Sequence, residues 1–357
     1  MKLLVVHTPL GPVGSGLGGG VELTLTALVA GLLGRGHQIT VLAAEGSQLP
    51  QACAAASLWT CAGAPQRSSQ HQSRQAWIEM PADGLLVQFW RRALQEAPQQ
   101  SFDAVLNLAY DWLPFWLTPT APLPIFHLVS MASVNEAMDG VIAELALWNQ
   151  ARLAFHTHSQ AADFALPAPP VVVGNGFDLD AYAFCDTPEP LLGWVGRVAP
   201  EKGLEDAAAA AARLGLPLAV WGVVEDPAYA AAVEAAVPAG TLLWRGFQPT
   251  HQLQRELGRC RALLNTPKWN EAYGNVVVEA MACGVPVVAY RRGGPGELVH
   301  SGLNGWSVEP DSVDALAAAA AQVEQIDRRA CRLWVERQAN RAVFAQRLEQ
   351  WLSTYRR

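Results

Sequence analysis

The sequence predicts an α/β protein built from two Rossmann-like, doubly wound domains in tandem. The chain has 357 residues, which is more than one hydrophobic core usually holds. Short β-rich runs alternate with helical patterns along its whole length, and this alternation is typical of parallel sheets made of βαβ units. The alternation starts afresh near Pro190, so two sheets explain the pattern more economically than one large sheet.

The first series of elements begins at the N-terminus with a strand at 3–6 and a helix at about 21–35. Further strands are predicted from their Val, Ile, Leu and Phe content at 38–43, 102–108, 124–129, 151–156 and 169–174. The polar stretch 66–75 is predicted to be an exposed loop.

The second series follows a turn-rich linker at about 178–190 that ends in two prolines. It is predicted to contain strands at 191–196, 217–222, 240–246, 262–267 and 285–290, with a helix at 206–214. A last helical stretch, 328–355, adds no strand and is expected to pack back on the N-terminal domain. The predicted domains are 1–180, 181–338 and a returning helix at 339–357.

Composition excludes several classes of function. The chain is 51% hydrophobic and 16% charged, as expected for a well-packed globular protein, and its net charge of -7 gives no reason to expect a nucleic-acid partner. It has no run of 18 apolar residues, and its N-terminal apolar run is too short for a secretory signal. The six cysteines lack metal-binding spacing, so we expect a cytoplasmic protein with reduced thiols, no metal and no cofactor; the oligomeric state stays open.

A glycine-rich stretch near the N-terminus contains Gly14-x-Gly16-x-x-Gly19, the spacing of a dinucleotide fingerprint. Residues 7–13, which include two prolines, separate it from the preceding strand, however, and the acidic residue expected at the end of the second strand is not in place. An NAD-dependent oxidoreductase therefore stays an alternative rather than the main prediction. Gly18, Gly19 and Gly20 are predicted to expose N–H groups at a helix N-terminus, where an anion or a sugar hydroxyl can bind.

Two carboxylates in the second half, Glu271 and Glu279, lie eight residues apart. The glycine between them predicts that Glu271 lies on a loop and Glu279 on a helix. N–H groups at this helix start are predicted to hold a phosphate, and they belong to Tyr273, Gly274, Asn275 and Val276. An acid on either side of an anion site suits a nucleotide sugar, whereas a capping acid and a solvated helix acid are the plainer alternative.

Two cations, Arg197 and Lys202, lie in the first strand-to-helix connection of the second series. Both can reach a diphosphate leaving group and stabilise its developing charge. The alternative is that they are ordinary surface cations.

These features together resemble the retaining GT-B glycosyltransferases of family 4. The resemblance covers nearly the whole chain and rests on "GGGVELTLTALVAGLLGRGHQITVL", "PIFHLV", "VVVGNGFDLDAY", "GRVAPEKG", "NEAYGNVVVEAMACGVPVVAYRRGGPGELV" and "SGLNGWSVEP", in the family's order. It implies two Rossmann-like domains facing across a cleft and a retaining, metal-independent transfer of a hexose. The Asp178-Leu179-Asp180 triplet is accordingly interpreted as a turn rather than a metal site.

The same resemblance implies roles for individual residues. Glu279 would bind the ribose of the donor and Glu271 the transferred sugar, while Arg197 and Lys202, with Gly18–Gly20, would hold the diphosphate. His127 matches the histidine that the family places near the sugar; a structural histidine at a strand end is the alternative.

The N-terminal half more narrowly resembles the UDP-glucose:tetrahydrobiopterin glucosyltransferases of photosynthetic bacteria. A reduced pterin has a flat face and a guanidine-like edge, which suit the aromatic rings and the carboxylate of Tyr110, Asp111 and Trp112. The alternative is that Trp112 and Trp116 form a buried helix face. A family 4 enzyme with a lipid or polysaccharide acceptor also stays open, with 85–94 as an interfacial helix.

Overall fold

The computed structural model describes residues 1–16 and 18–354, and the chain divides into two compact units. Unit 1 contains the chain up to Phe177 together with the segment from Arg341 onward. Unit 2 is the continuous stretch Asp178–Asn340. Among the residues described, each unit carries one six-stranded sheet in which all paired strands are parallel.

The sheet of unit 1 has the strand order β3-β2-β1-β4-β5-β6. Its strands are β1 (Lys2–Val6), β2 (Gln38–Ala44), β3 (Ser57–Cys61), β4 (Ala104–Asn107), β5 (Ile125–Leu128) and β6 (Leu153–Ala154). The helices that connect or follow them are α1 (Gly20–Gly34), α2 (Leu85–Glu96), α3 (Trp112–Leu117), α4 (Glu136–Asn149) and α5 (His158–Ala161).

The sheet of unit 2 has the order β12-β11-β10-β7-β8-β9. Its strands are β7 (Leu192–Val195), β8 (Leu218–Trp221), β9 (Leu242–Gly246), β10 (Ala262–Asn265), β11 (Val287–Tyr290) and β12 (Gly305–Val308). Its helices are α6 (Leu204–Leu214), α7 (Pro227–Ala235), α8 (Thr250–Leu257), α9 (Asn275–Ala282), α10 (Gly293–Leu298), α11 (Val313–Ala321) and α12 (Arg328–Gln338). The last helix, α13 (Arg341–Ser353), returns to unit 1.

The strands are apolar on both faces because helices cover both sides of each sheet. In β1, Leu3 and Val5 belong to a core cluster with α1 and α13, while Leu4 and Val6 belong to a cluster with α2. The apolar face of α2 is therefore used inside unit 1, where Leu85, Leu86, Phe89, Trp90 and Ala93 are buried. The prediction that 85–94 is an interfacial helix is wrong for this reason.

The expected return of the C-terminal helix is confirmed, because α13 packs on α1 in unit 1. The stretch expected to be one helix is in fact two, α12 and α13, with a break at Ala339 and Asn340; its expected end at Tyr355 lies outside the described residues. None of the helices in the described part of the chain is both long and apolar enough to cross a bilayer.

One predicted strand is absent from the structure. Within 169–174, only Val172 forms an isolated bridge, with Phe155. Pro169 and Pro170 cannot donate to a ladder, which shortens the pairing at this edge of the sheet.

Candidate functional site

The sheet of unit 2 places both sequence motifs at one point. Strand β7 lies between β10 and β8, so the strand order reverses between β7 and β10. In open parallel sheets, ligands bind outside the carboxyl ends of the strands at such a switch point. The loop 196–203 follows β7 and the loop 266–274 follows β10, so the two motifs meet there.

The two loops are joined by direct contacts. Thr266 Oγ1 donates to the Gly203 carbonyl oxygen at 2.7 Å, and the Lys268 N–H donates to the Glu201 carbonyl oxygen at 2.8 Å. Gly203 has a φ of +66°, and a Cβ atom there would lie 2.0 Å from the Thr266 carbonyl oxygen. Only glycine fits this close approach, so the loop that carries Lys202 has a fixed position.

Lys202 and Glu271 form the centre of the site. The Lys202 Nζ atom lies 2.5 Å from Glu271 Oε1 and 5.2 Å from the centre of the Trp269 ring. Both side chains are largely buried, at 21% and 11% exposure. The pair thus sets one cation beside one carboxylate at the mouth of the switch point, above an aromatic ring.

The loop after Glu271 is held by the start of α10. The Gly294 N–H donates to the Glu271 carbonyl oxygen at 2.7 Å. A Cβ atom on Gly293, which has a φ of +59°, would lie 2.5 Å from the Glu271 nitrogen, and one on Gly294 would lie 2.3 Å from the Tyr273 carbonyl oxygen. Backbone therefore packs on backbone here, and this contact fixes the direction in which Glu271 enters the site.

The helix start predicted between the two acids is present. Gly274, with a φ of +96°, precedes Asn275 and Val276, which begin α9, and it supplies no side-chain cap. Tyr273 is buried, so its ring belongs to the packing of the loop. No side chain among the described residues caps the first turn of α9, which directly follows the loop that carries Glu271.

Glu279 lies on α9 with its carboxylate buried. Tyr182, in the segment that begins unit 2, donates from its hydroxyl to Glu279 Oε1 at 3.1 Å. Burial raises the pKa of Glu279, and the hydrogen bond from Tyr182 partly opposes this shift. Glu279 is therefore a positioned acceptor for hydrogen bonds rather than a solvated helix acid.

Arg197 lies at the same switch point but is already balanced by acids. Its Nη2 atom donates to Glu201 Oε1 at 2.8 Å, and its Nη1 atom donates to the carboxylate of Glu225. A diphosphate would have to share this guanidinium with two carboxylates. Lys202 has one acidic partner, Glu271, and is therefore the less neutralised cation of the two.

In unit 1, the glycine-rich loop contradicts the expectation of an open anion site. The Glu22 carboxylate, in the first turn of α1, accepts from the N–H groups of Gly14 and Gly18, each at 3.0 Å. The Gly19 N–H donates to the Gly16 carbonyl oxygen. A carboxylate therefore occupies the place where a phosphate would bind, which argues both against Gly18–Gly20 as phosphate ligands and against the dinucleotide alternative.

His127 is a core residue, and its predicted contact with the sugar is wrong. The side chain is fully buried in β5 and stacks on Phe115 with ring centres 4.1 Å apart. Asn107 Nδ2 donates to its Nδ1 at 3.1 Å, so Nε2 carries the proton that it shares with Thr118 Oγ1 at 2.7 Å. Burial lowers the pKa of His127 to about 3. Both ring nitrogens are used inside the fold.

The three residues predicted to bind an acceptor have different environments. Tyr110 is buried in a core cluster with Phe115 and Met138, so its ring does not form the wall of a site, which corrects that prediction. Trp112 is half-buried and stacks on Trp116, with ring centres 5.5 Å apart. Because Trp116 is 55% exposed, the two indoles are not a buried helix face.

Asp111 is a carboxylate without a partner. It occupies the N-cap position of α3 but makes no capping bond, and Pro114, three residues later, has no N–H to offer. The part of the chain that the structure describes supplies no hydrogen bond or ion pair to this side chain. Burial raises the pKa of Asp111 to about 8.

Sequence reasoning missed three residues that the structure places at or near the predicted sites. Tyr182 contacts Glu279 and Trp269 contacts Lys202, and each pair comes from two separate stretches of the sequence, so no local pattern joins them. His7, at the end of β1, is buried with its Nδ1 atom unpaired among the described residues, and burial lowers its pKa to about 4. The described residues also contain no group of three His, Cys, Asp or Glu side chains arranged to hold a metal ion.

The match to a known protein family covers most of unit 2. The family model described as "Glycosyl transferases group 1" matches residues 184–350. The chain is 39% identical to the 2-deoxystreptamine N-acetyl-D-glucosaminyltransferase of Streptomyces fradiae over 139 residues, which are 37% of this chain and 33% of that protein. It is 32% identical to the alpha-maltose-1-phosphate synthase of Mycolicibacterium smegmatis over 151 residues, or 40% and 39% of the two chains. The matches thus span less than two thirds of these relatives.

Solved structures match the whole chain. Alr3699/HepE of Anabaena in complex with UDP has a TM-score of 0.75 at 18% identity and covers 99% of this chain and 100% of its own. The sucrose-phosphate synthase of Thermosynechococcus elongatus has a TM-score of 0.74 at 18% identity, with 100% and 98% coverage. The fold is therefore GT-B, as the sequence predicts.

Proposed function

We propose that this chain is a group 1 glycosyltransferase that transfers glucose from UDP-glucose, with retention of configuration, to a hydroxyl of a small molecule such as the side chain of tetrahydrobiopterin. The observation that carries this proposal is the Lys202–Glu271 pair at the switch point of unit 2. The family match over the same region supports it.

The residues of this site have separate roles in the proposal. Lys202, with a smaller contribution from Arg197, stabilises the charge that develops on the diphosphate as the sugar departs. The first-turn N–H groups of α9 bind the same phosphates. Glu271, held by α10, accepts hydrogen bonds from the sugar, and Glu279, held by Tyr182, accepts them from the ribose. When the donor binds, its diphosphate replaces Glu271 as the main partner of Lys202.

The transfer itself needs little covalent chemistry from the protein. The bond between C1 of the sugar and the diphosphate oxygen breaks, and a bond from C1 to the acceptor oxygen forms on the same face. The acceptor proton leaves with the departing phosphate. The enzyme contributes positioning and electrostatic stabilisation, which together account for large rate accelerations.

The proposed donor and acceptor are supported by the names of similar proteins and by side chains of unit 1. Anabaena HepE, which shares this fold, has been solved with UDP-glucose, and sucrose synthases are among the relatives that match part of this chain. The relative from Streptomyces acts on 2-deoxystreptamine, a compact amine, as its name states. In unit 1, Asp111 offers an unpaired carboxylate to a guanidine-like edge, and the exposed Trp116, stacked on Trp112, offers a flat apolar surface.

The test is mass spectrometry of the protein incubated anaerobically with tetrahydrobiopterin and one donor at a time: UDP-glucose, ADP-glucose or GDP-mannose. We expect a hexosyl-pterin with UDP-glucose alone. Lys202→Met and Glu271→Gln keep the shape of each side chain and should each lower the rate by about 100- to 1000-fold, because each removes a group that acts on the transition state.

Two matched variants control for general damage. Arg213→Met and Glu309→Gln each break an exposed ion pair elsewhere in unit 2 and should keep the rate within about twofold. If UDP-glucose is slowly hydrolysed but no pterin product forms, the acceptor is wrong and the transferase stands. If no donor is consumed, or the Lys202 variant is as active as the Arg213 variant, the proposal fails.

A further inference from the structure

The polar segment 66–80, between β3 and α2, is fastened to the loop after β1. The Gln66 N–H donates to the carbonyl oxygen of Pro9 at 2.7 Å. Its side-chain Nε2 donates to the Glu79 carbonyl oxygen at 2.6 Å, which closes the segment on itself. The segment, of which 66–75 is predicted from sequence to be an exposed loop, thus has a defined base.

The tip of the same segment is fastened to the loop after β5. Arg74 donates from Nη2 to Asp139 Oδ2 at 2.7 Å and from Nη1 to the Ser133 carbonyl oxygen at 3.1 Å. Gln75 Nε2 donates to Glu136 Oε1 at 3.0 Å. Several directional bonds therefore hold the tip over the start of α4.

The two anchor points lie on either side of β4. Because the strand order is β1-β4-β5, a segment tied to the loops after β1 and β5 crosses the carboxyl end of β4. The loop that follows β4 ends in Tyr110 and Asp111. The pKa of Tyr110 is raised by burial and by Asp139 and is lowered by Arg74, so both members of the ion pair act electrostatically on this residue. The point crossed is the β1/β4 switch point of unit 1.

We propose that residues 66–80 form an acceptor-selecting strap across the switch point of unit 1, and that the Arg74–Asp139 ion pair holds it in place. The inference rests on the proposed function, because it concerns the acceptor of that reaction. In this proposal, a strap fastened at both ends admits a compact acceptor near Asp111 and excludes an extended polymer. Trp77, next to the anchored tip, is 89% exposed and adds a large apolar side chain to the strap.

The anchor is partly exposed, since the side chains of Arg74 and Asp139 are 48% and 24% accessible. A single partly exposed ion pair of this kind contributes little to the stability of the fold. Their removal should loosen the strap without unfolding unit 1, so the expected effect falls on acceptor use rather than on the stability of the chain.

The experiment compares Arg74→Ala with Arg91→Ala, whose arginine lies exposed on α2 and bonds to Gln88. Transfer from UDP-glucose is followed with tetrahydrobiopterin and with 2-deoxystreptamine, and donor hydrolysis is followed without acceptor. We expect Arg74→Ala to lower kcat/KM for the acceptor by about 5- to 10-fold while donor hydrolysis stays within about twofold. Trp77→Ala, which leaves the anchor intact, should raise the acceptor KM alone.

Limited trypsin digestion supplies a readout that needs no turnover. Cleavage after Arg67 should be faster in Arg74→Ala than in Arg91→Ala, and tetrahydrobiopterin should slow it in the unmodified chain. The proposal is overturned if the two variants match in transfer and in cleavage, or if transfer and donor hydrolysis fall together. Failure of the proposed function appears separately, as an unmodified chain that neither hydrolyses nor transfers from UDP-glucose, and digestion still tests the strap in that case.

Discussion

At the scale of single residues, the same chemical group serves different ends according to its partners. Glu22 and Asp111 are both carboxylates near the carboxyl edge of the unit 1 sheet. Glu22 accepts two backbone N–H groups and closes its own loop, whereas Asp111 stays unpaired because Pro114 removes a donor. A partly buried carboxylate without a donor destabilises the fold in its charged form, which is consistent with a role in binding.

The pH dependence of acceptor binding tests this interpretation of Asp111. Its pKa of about 8 means that most of the carboxyl groups are protonated at neutral pH. An acceptor that presents N–H groups binds the ionised form, so its KM should fall by up to about tenfold between pH 7 and pH 9. Asp111→Asn should raise the acceptor KM and abolish this dependence, with little change in the donor KM. An equally steep profile in the variant would remove Asp111 from the acceptor site.

Stability supplies a control that is independent of any acceptor. Because the folded-state pKa of Asp111 is raised, the protonated carboxyl costs nothing at low pH and the charged form destabilises the fold as pH rises towards 8. The melting temperature of Asp111→Asn relative to the unmodified chain should therefore increase from pH 4 to pH 8. A constant difference would show that the carboxyl is solvated.

At the scale of elements, a cluster of charged side chains holds the base of the loop between β10 and α9. Asp311 binds Arg292 Nη2 at 2.6 Å and Lys268 Nζ at 3.0 Å, and Arg292 Nη1 donates to the Pro267 carbonyl oxygen at 2.7 Å. Asp311 has a φ of +63°, which is unusual for a residue other than glycine. The charges thus fix the base of the loop that carries Glu271.

We expect Asp311→Asn to raise the donor KM about 3- to 10-fold, because the loop loses both charge-assisted contacts. Asparagine tolerates the same backbone conformation, so the cost in stability should be about 1 kcal/mol or less. Arg292 lowers the pKa of Asp311 to about 2, so this contribution is present above pH 4 and is lost as pH falls towards 2. Asp314→Asn, at an exposed ion pair three residues away, is the control; equal donor KM values in the two variants would contradict the prediction.

The sequence predicts elements well where one local signal decides them. Gly274 before an apolar run marks the start of α9, and the two acids fall on either side of it as expected. The direction in which a side chain points is not local. His127 lies in a strand buried on both faces, so its position in the sequence cannot distinguish a core partner from a site residue. The contact of Glu22 with Gly14 and Gly18 depends on the conformation of a glycine-rich loop, and hydrophobic periodicity does not predict loop conformation.

At the scale of the whole molecule, the chain leaves unit 1 at Phe177 and completes it only at the C-terminus. The Arg341 N–H donates to the Phe177 carbonyl oxygen at 3.1 Å where the chain returns. Helix α13 then buries Phe344, Leu348 and Trp351 in the core cluster that includes α1. Trp351 Nε1 also donates to the Ala151 carbonyl oxygen at 2.9 Å. Unit 1 therefore depends on a helix that follows unit 2 in the sequence.

This dependence predicts that damage to α13 spreads through unit 1 and not through unit 2. Leu348→Ala should lower the free energy of unfolding of unit 1 by about 2–5 kcal/mol, the usual cost of a cavity at a fully buried leucine. Hydrogen exchange should then accelerate at the amides of β1 and β4, while those of β10 and α9 keep their protection. Leu333→Ala, the same change at an exposed site on α12, should leave both sets unchanged. Equal acceleration in both sheets would instead mean that the two units unfold as one cooperative body.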